Sequence, residues 1–98
     1  MATLTVTYAA KPDAKFDRAY YDATHIPMLD EAWGDHGYVS AEVLYPVDDS
    51  QPFVAMAVLR FKDQASIDAS MAAPRTGEVV ADMAKFTNLT PDLYRAAD

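Results

Sequence analysis

Phe53-Val54-Ala55-Met56-Ala57-Val58-Leu59-Arg60-Phe61 is the stretch on which the fold turns. It holds no Gly, Pro or Asn and is rich in β-branched and aromatic side chains, which is strand composition. Alternation sends Phe53, Ala55, Ala57, Leu59 and Phe61 to one face and Val54, Met56 and Val58 to the other. The strand is apolar on both faces for most of its length. Something must cover each of them.

Upstream, Val47-Asp48-Asp49-Ser50-Gln51-Pro52 is a polar hairpin loop, and residues 38–46 alternate as a second strand closed by Pro46. That strand sets Val39, Ala41, Val43 and Tyr45 on one face, with Tyr38 and Leu44 on the other. Gly34-Asp35-His36-Gly37 is a turn. Before it, a helix runs from about 17 to 32, bent at Pro27. Residues 10–15 form a loop, and residues 3–9 a strand that alternates Leu4, Val6 and Tyr8 with threonines. Downstream, Asp63 caps a helix bearing Ile67 and Met71. Pro74 separates it from a second helical piece with Val79, Val80 and Met83, which ends near Lys85. A last strand at 87–94 contains Pro91, which cannot donate to a ladder and so marks a sheet edge.

The order strand, helix, strand, strand, helix, strand implies an α+β fold: a ferredoxin-like βαββαβ unit with a four-stranded antiparallel sheet. The first and third strands lie centrally, and the second and fourth lie at the edges, where Pro91 is tolerated. A single domain spans 1–98. Both helices cover one face, so a lone chain leaves the second apolar side of 53–61 wet. A second copy related by two-fold symmetry would cover it. The expectation is a homodimer whose sheets combine into a dimeric α/β barrel.

The chemistry concentrates in Phe16-Asp17-Arg18-Ala19-Tyr20-Tyr21-Asp22-Ala23-Thr24-His25-Ile26-Pro27-Met28-Leu29. Asp17 caps the first turn, and Phe16 with Tyr21 closes a hydrophobic staple. Pro27 lacks an N–H and clashes with the carbonyl of Ala23, so the helix must kink or stop near His25. An imidazole at a distorted helix end suits proton transfer, with Asp22 one turn away to orient it and Tyr21 to offer a phenol. The plain alternative is a helix-end histidine bonded to backbone.

Tyr20 shares a stripe with Phe16, Ala23 and Pro27 and reads as packing. Trp33 can wall a pocket. Arg60 either snorkels to solvent or clamps a substrate carboxylate, if it faces the same cavity as His25. Asp82 is either solvated or a group behind the primary site. His25, Asp30 and His36 match no metal-ligand spacing, and phosphate loops, nucleophile elbows and nicotinamide or flavin motifs are missing, so no metal and no cofactor is expected.

The 98 residues carry 8 basic and 15 acidic side chains, a formal charge of −7, which disfavours nucleic acid and anionic membrane surfaces. No stretch is apolar enough to span a bilayer. There is no cysteine, so disulfides, thiolate metal sites and a cysteine nucleophile are excluded, in keeping with a reducing cytoplasm. The N-terminal residues lack the pattern of a signal peptide.

Phe16-Asp17-xx-Tyr20-Tyr21-xxx-His25-Ile26-Pro27-Met28, together with Phe86-Thr87-Asn88-xx-Pro91, resembles the EthD-like proteins of the dimeric α/β-barrel superfamily. Strand order and chain length agree with that resemblance. It implies a dimer built through the sheets, a ligand cavity between sheet and helices, and a helix histidine that maps onto His25. Relatives include a methylmuconolactone isomerase, polyketide cyclases and anthrone-type decarboxylases, and more distantly haem enzymes and monooxygenases.

The leading expectation is thus a small cofactor-independent enzyme acting on an aromatic, lactone or polyketide-like molecule. His25 would move a proton in isomerisation, cyclisation or decarboxylation, with Asp22 and Tyr21 as catalytic partners and Trp33, Arg60 and Asp82 on the substrate side. The alternatives are a non-catalytic carrier of a hydrophobic metabolite and, third, a haem-binding or monooxygenase-like relative.

Overall fold

In the computed structural model, which describes residues 1–97, Phe53–Phe61 forms β3. Residue 98, the last of the expected domain, lies outside the described residues. β3 sits inside a four-stranded antiparallel sheet with β1 (Ala2–Ala9), β2 (Tyr38–Leu44) and β4 (Asp92–Ala96). The spatial order is β2-β3-β1-β4, the ferredoxin-like α+β arrangement, with the first and third strands central as the sequence implies. The edge strand β4 begins after Pro91, at Asp92, later than the expected 87. Within the preceding segment only Thr87 bridges, to Phe16. Leaving Pro91 outside the ladder removes the missing-donor problem altogether.

Three helices lie on one face: α1 over residues 18–33, α2 (Gln64–Met71) and α3 (Thr76–Asp82), the last prolonged by a 3-10 turn, Met83–Lys85. Asp63 caps α2 through a bond from the Ser66 N–H at 2.8 Å. Under the helices, Ala2, Leu4, Tyr8, Ala55, Ala57, Leu59 and Phe61 are buried. On the other face Val54, Met56 and Val58 remain half-buried, and Leu44 and Tyr94 are exposed. The two-sided character of β3 is real, and this chain covers only one side of it.

One expectation fails at the start of β2. Tyr38 pairs with Phe61 and Ser40 with Arg60, so β2 carries an extra residue, Val39, at a bulge. The bulge turns Tyr38 into the core, where its ring meets Phe61 at 5.6 Å and Trp33 at 6.2 Å, and leaves Val39 exposed. Tyr38 therefore belongs with the helix-covered face, and Val39 does not. Gly37, at φ 95°, makes the approach possible, since a methyl group there would overlap the Ser66 side chain.

The segment after α3 is tied to the loop after β1. Thr87 Oγ1 donates to the Lys15 carbonyl at 2.7 Å, Asn88 Nδ2 donates to the Asp13 carbonyl at 2.9 Å, and Asn88 Oδ1 accepts from the Lys15 N–H at 2.9 Å. These bonds hold Phe86 against the sheet and fix one wall of the site described next.

Candidate functional site

α1 does not stop at Pro27, and the distortion expected near His25 takes the form of a π-turn just before it. It runs through as three segments: α-helical Arg18–Tyr20, a π-turn Tyr21–His25, and α-helical Ile26–Trp33. Asp17 caps it through the Tyr20 N–H at 3.0 Å, and Phe16 meets Tyr21 at 4.9 Å, closing the staple. The Ile26 N–H bonds back to the Tyr21 carbonyl, five residues earlier. That wider loop resets the helix so that Pro27 falls in the first turn of the following α segment, where no N–H is required of it.

The π-turn also decides which neighbour His25 has. In a wide turn each residue rotates less about the axis, so His25 comes to rest over Tyr21. The two rings stack at 5.3 Å with planes 15° apart, and Phe86 closes the third side at 4.6 Å. His25 and Tyr21 are both buried. His25 Nδ1 lies 3.0 Å from Asp82 Oδ2, and the other carboxylate oxygen, Oδ1, accepts the Tyr20 hydroxyl at 2.6 Å. Burial raises the cost of the Asp82 charge. The bonds from Tyr20 and His25, with the charges of His25 and Lys85, outweigh it and hold the carboxyl below the usual carboxylate range. An ionised Asp82 accepts, so Nδ1 carries the proton and the lone pair of a neutral ring sits on Nε2. No other hydrogen bond among the described residues reaches that ring.

His25 also lines a cavity of about 300 Å³ between the sheet and α1 and α3. Its walls are mostly aliphatic and aromatic, from Leu4 and Val6 on β1 to Val79 on α3 and Leu93 on β4. The polar exceptions are His25, Tyr8, Tyr21, Thr76 and Thr90. Burial pushes the Tyr8 phenol up to about 12 and raises Tyr21 as well, so both stay protonated and can donate. Trp33 is buried in the wall, its Nε1–H donating to Thr76 Oγ1 at 2.9 Å, and Thr76 donates in turn to the Ser70 carbonyl.

No family model matches the sequence, and no curated protein does. Solved structures do. An EthD-like protein from Ralstonia eutropha superposes with a TM-score of 0.83 at 27% identity, over 98% of this chain and 89% of that one. The chain has the fold of the EthD-like proteins. A dimeric protein of unknown function with a ferredoxin-like fold, from Bacteroides fragilis, matches with a TM-score of 0.66 at 9% identity, covering 99% and 95% of the two chains. A cofactor-independent oxygenase from Streptomyces nogalater matches at 0.68 and 11% identity, over 99% and 93%.

Within this EthD-like fold the anticipated residues part company. His25, Tyr21 and Trp33 meet at the cavity, and Asp82 joins them from α3. Asp22 does not. It is exposed and accepts the Tyr45 hydroxyl at 2.8 Å, because the π-turn carries it off the face of His25. The carboxylate beside the imidazole is Asp82. Arg60 is also elsewhere: flanked by the buried Leu59 and Phe61, it must point to the opposite side of the sheet, where it donates to Thr3 Oγ1 at 3.2 Å. It cannot clamp a molecule held beside His25.

Tyr20, Tyr8, Phe86, Thr76 and Thr90 were not anticipated as site residues. The apolar stripe of Tyr20 implies packing, and its ring does stack on Phe86 at 6.3 Å while its hydroxyl reaches Asp82. Phe86 opens the C-terminal segment that resembles the family, and this was the one available signal. Among the described residues no three His, Cys, Asp or Glu side chains converge as a metal site would require. Among the described residues, too, no helix is long and apolar enough to cross a membrane.

Proposed function

We propose that the chain is a cofactor-independent enzyme that moves a proton on an aromatic or polyketide-like molecule bound in the cavity beside His25. One observation carries this reading: His25 is gripped at Nδ1 by Asp82, itself gripped by Tyr20, while the ring faces an apolar chamber. Nε2 is then the base. It takes a proton from a carbon acidified by a neighbouring carbonyl, and the electron pair of the broken C–H bond moves onto the carbonyl oxygen. Asp82 stabilises the imidazolium that forms, and the Tyr8 or Tyr21 phenol can donate to the enolate oxygen. Reprotonation of the same atom, after the imidazolium has traded its proton with solvent, gives exchange, and delivery of the proton to another atom gives isomerisation. The apolar walls exclude water, which strengthens each of these polar contacts.

The likeness to a cofactor-independent oxygenase supports chemistry without a bound redox group on this fold. The open sheet face of Met56, Val58, Leu44 and Tyr94, and the dimeric state of a structural neighbour, support a homodimer built through that face.

The test is hydrogen exchange at the carbon next to the carbonyl of 1-tetralone in heavy water, followed by NMR. The wild-type protein should speed exchange over buffer. His25→Gln should return it to the buffer rate in a protein that still folds, as circular dichroism would show. A fully active variant would reject the role of His25, and binding without exchange would favour a carrier.

A further inference from the structure

From the charges around the cavity we infer that the molecule it takes is uncharged, and that the site discriminates against carboxylates. The inference rests on the proposal that this cavity is the ligand site, and it goes further by fixing the charge class of the ligand.

None of the lining residues is a lysine, arginine, aspartate or glutamate. The four arginines of the chain are engaged elsewhere, and none of its four lysines lines the cavity. Arg60 lies across the sheet with Thr3, Arg75 pairs with Glu78 at 3.0 Å and with Glu31, and Arg95 pairs with Asp68 at 2.7 Å. Arg18 stacks over the Tyr45 ring at 4.7 Å. Lys85 is exposed and does not line the cavity. His25 is the only lining group that can carry a positive charge, and Asp82 already stands 3.0 Å from it. An imidazolium there is half of a neutral pair, with no charge left over for a ligand. A carboxylate entering this chamber would lose its water, find no counter-ion and lie near the Asp82 carboxylate. Hydroxyl and carbonyl groups meet no such opposition, since Tyr8, Tyr21, His25 and Thr90 can donate to or accept from them.

The mouth supports the same conclusion. Val80 on α3 and Leu93 on β4 both line the cavity and are 60% and 58% exposed, so the rim is apolar rather than basic. Nothing at the entrance steers an anion inward. At about 300 Å³ the chamber stands at the small end of ligand pockets, which suits a compact ring system of low polarity.

The protein has one tryptophan, so its single indole N–H resonance reports on the cavity wall at Trp33. Titration at pH 7 with 2-naphthol and with 2-naphthoate compares one ring skeleton in two charge states. The naphthol should shift that resonance with an affinity at least tenfold tighter than the naphthoate. Val80→Lys, which puts an ammonium on the exposed rim, should narrow the gap by favouring the naphthoate. Equal or tighter binding of the naphthoate to the wild-type protein overturns the charge inference and leaves the cavity standing as a ligand site. If neither probe moves the resonance, both the inference and the ligand-site reading fall.

Discussion

His25 and Asp82 lie 57 positions apart in the chain, and their side chains meet at 3.0 Å in a spot where both are shielded from water. The contact joins α1 to the end of α3. It makes the orientation of the imidazole a tertiary property, set by an element that the helix bearing His25 does not contain.

Replacing Asp82 by Asn keeps the shape and removes the charge. The ring can then adopt either tautomer, and the imidazolium loses its partner. Activity in the exchange assay should fall by at least roughly 10–100-fold, the range seen when the partner that orients a metal-bound histidine is lost, and by up to about 10⁴-fold, the loss when the carboxylate behind a general-base histidine is neutralised. Acid stability should change as well. A carboxyl held below its ordinary value stabilises the fold above that value and loses the contribution as pH falls through the folded one. Asp82→Asn should therefore flatten the acid limb of a stability-against-pH curve measured by urea denaturation. An unchanged limb would show that the pair contributes nothing to acid stability.

The alkaline limb belongs to the buried phenols. Tyr8 and Tyr38 are each raised from 10.0 to about 12, with burial as the leading cause. Their contribution is complete below pH 10, where the unfolded chain also keeps its protons. It is lost as pH rises towards about 12, because unfolding then releases protons that the native state retains. Each phenol should account for on the order of 2 kcal/mol of that loss. Tyr8→Phe should make the decline between pH 10 and 12 shallower than in the wild-type protein.

Gly37 should tolerate no side chain. Its left-handed backbone alone costs other residues about 1–3 kcal/mol, and the overlap with Ser66 adds to that. Gly37→Ala should destabilise the protein by about 3 kcal/mol or more in chemical denaturation. Adding Ser66→Gly should recover the part due to the clash and none of the part due to the backbone angle.

Val58 lies on the bare side of β3, paired with Thr5 on β1 and with Glu42 on β2. If a second copy covers this face, Val58→Lys puts an ammonium into the covered apolar surface of each subunit. The native mass should then drop from dimer to monomer at micromolar concentration. A wild-type protein that is monomeric at every concentration would refute the homodimer.

Most of the scaffold could be read from the chain because its determinants are local. Alternation in 53–61 and the caps at Asp17 and Asp63 each depend on near neighbours, and each holds; β4 lies at the edge as expected, although Pro91 precedes it rather than standing in it. The misreadings came from single extra residues and from long-range partners. Val39 inserts one residue into β2, and a strict two-residue count then assigns Tyr38 and Val39 to the wrong faces. The π-turn does the same in α1: α spacing puts both Tyr21 and Asp22 beside His25, while the wider turn keeps Tyr21 there and carries Asp22 away. Asp82 could be noticed as a candidate but not assigned as the imidazole's partner, since no local rule links α3 to position 25. Arg60 was decidable in principle, because the core face of Leu59 and Phe61 forces it to the far side.

The wide turn of α1 has an implication for how this helix can change. A π-turn is an α-helix with one surplus residue, so deleting Thr24 should restore α spacing up to Pro27, whose missing N–H and ring then bend the helix at that point. The face presented by Ile26 to Trp33 would keep its phase with the sheet, and the molecule should still fold. The aromatic ring would nevertheless slip off its tyrosine platform, and the geometry proposed for proton transfer would vanish while the scaffold survived. A one-codon deletion thus offers a way to strip the chamber of its base while leaving its walls in place.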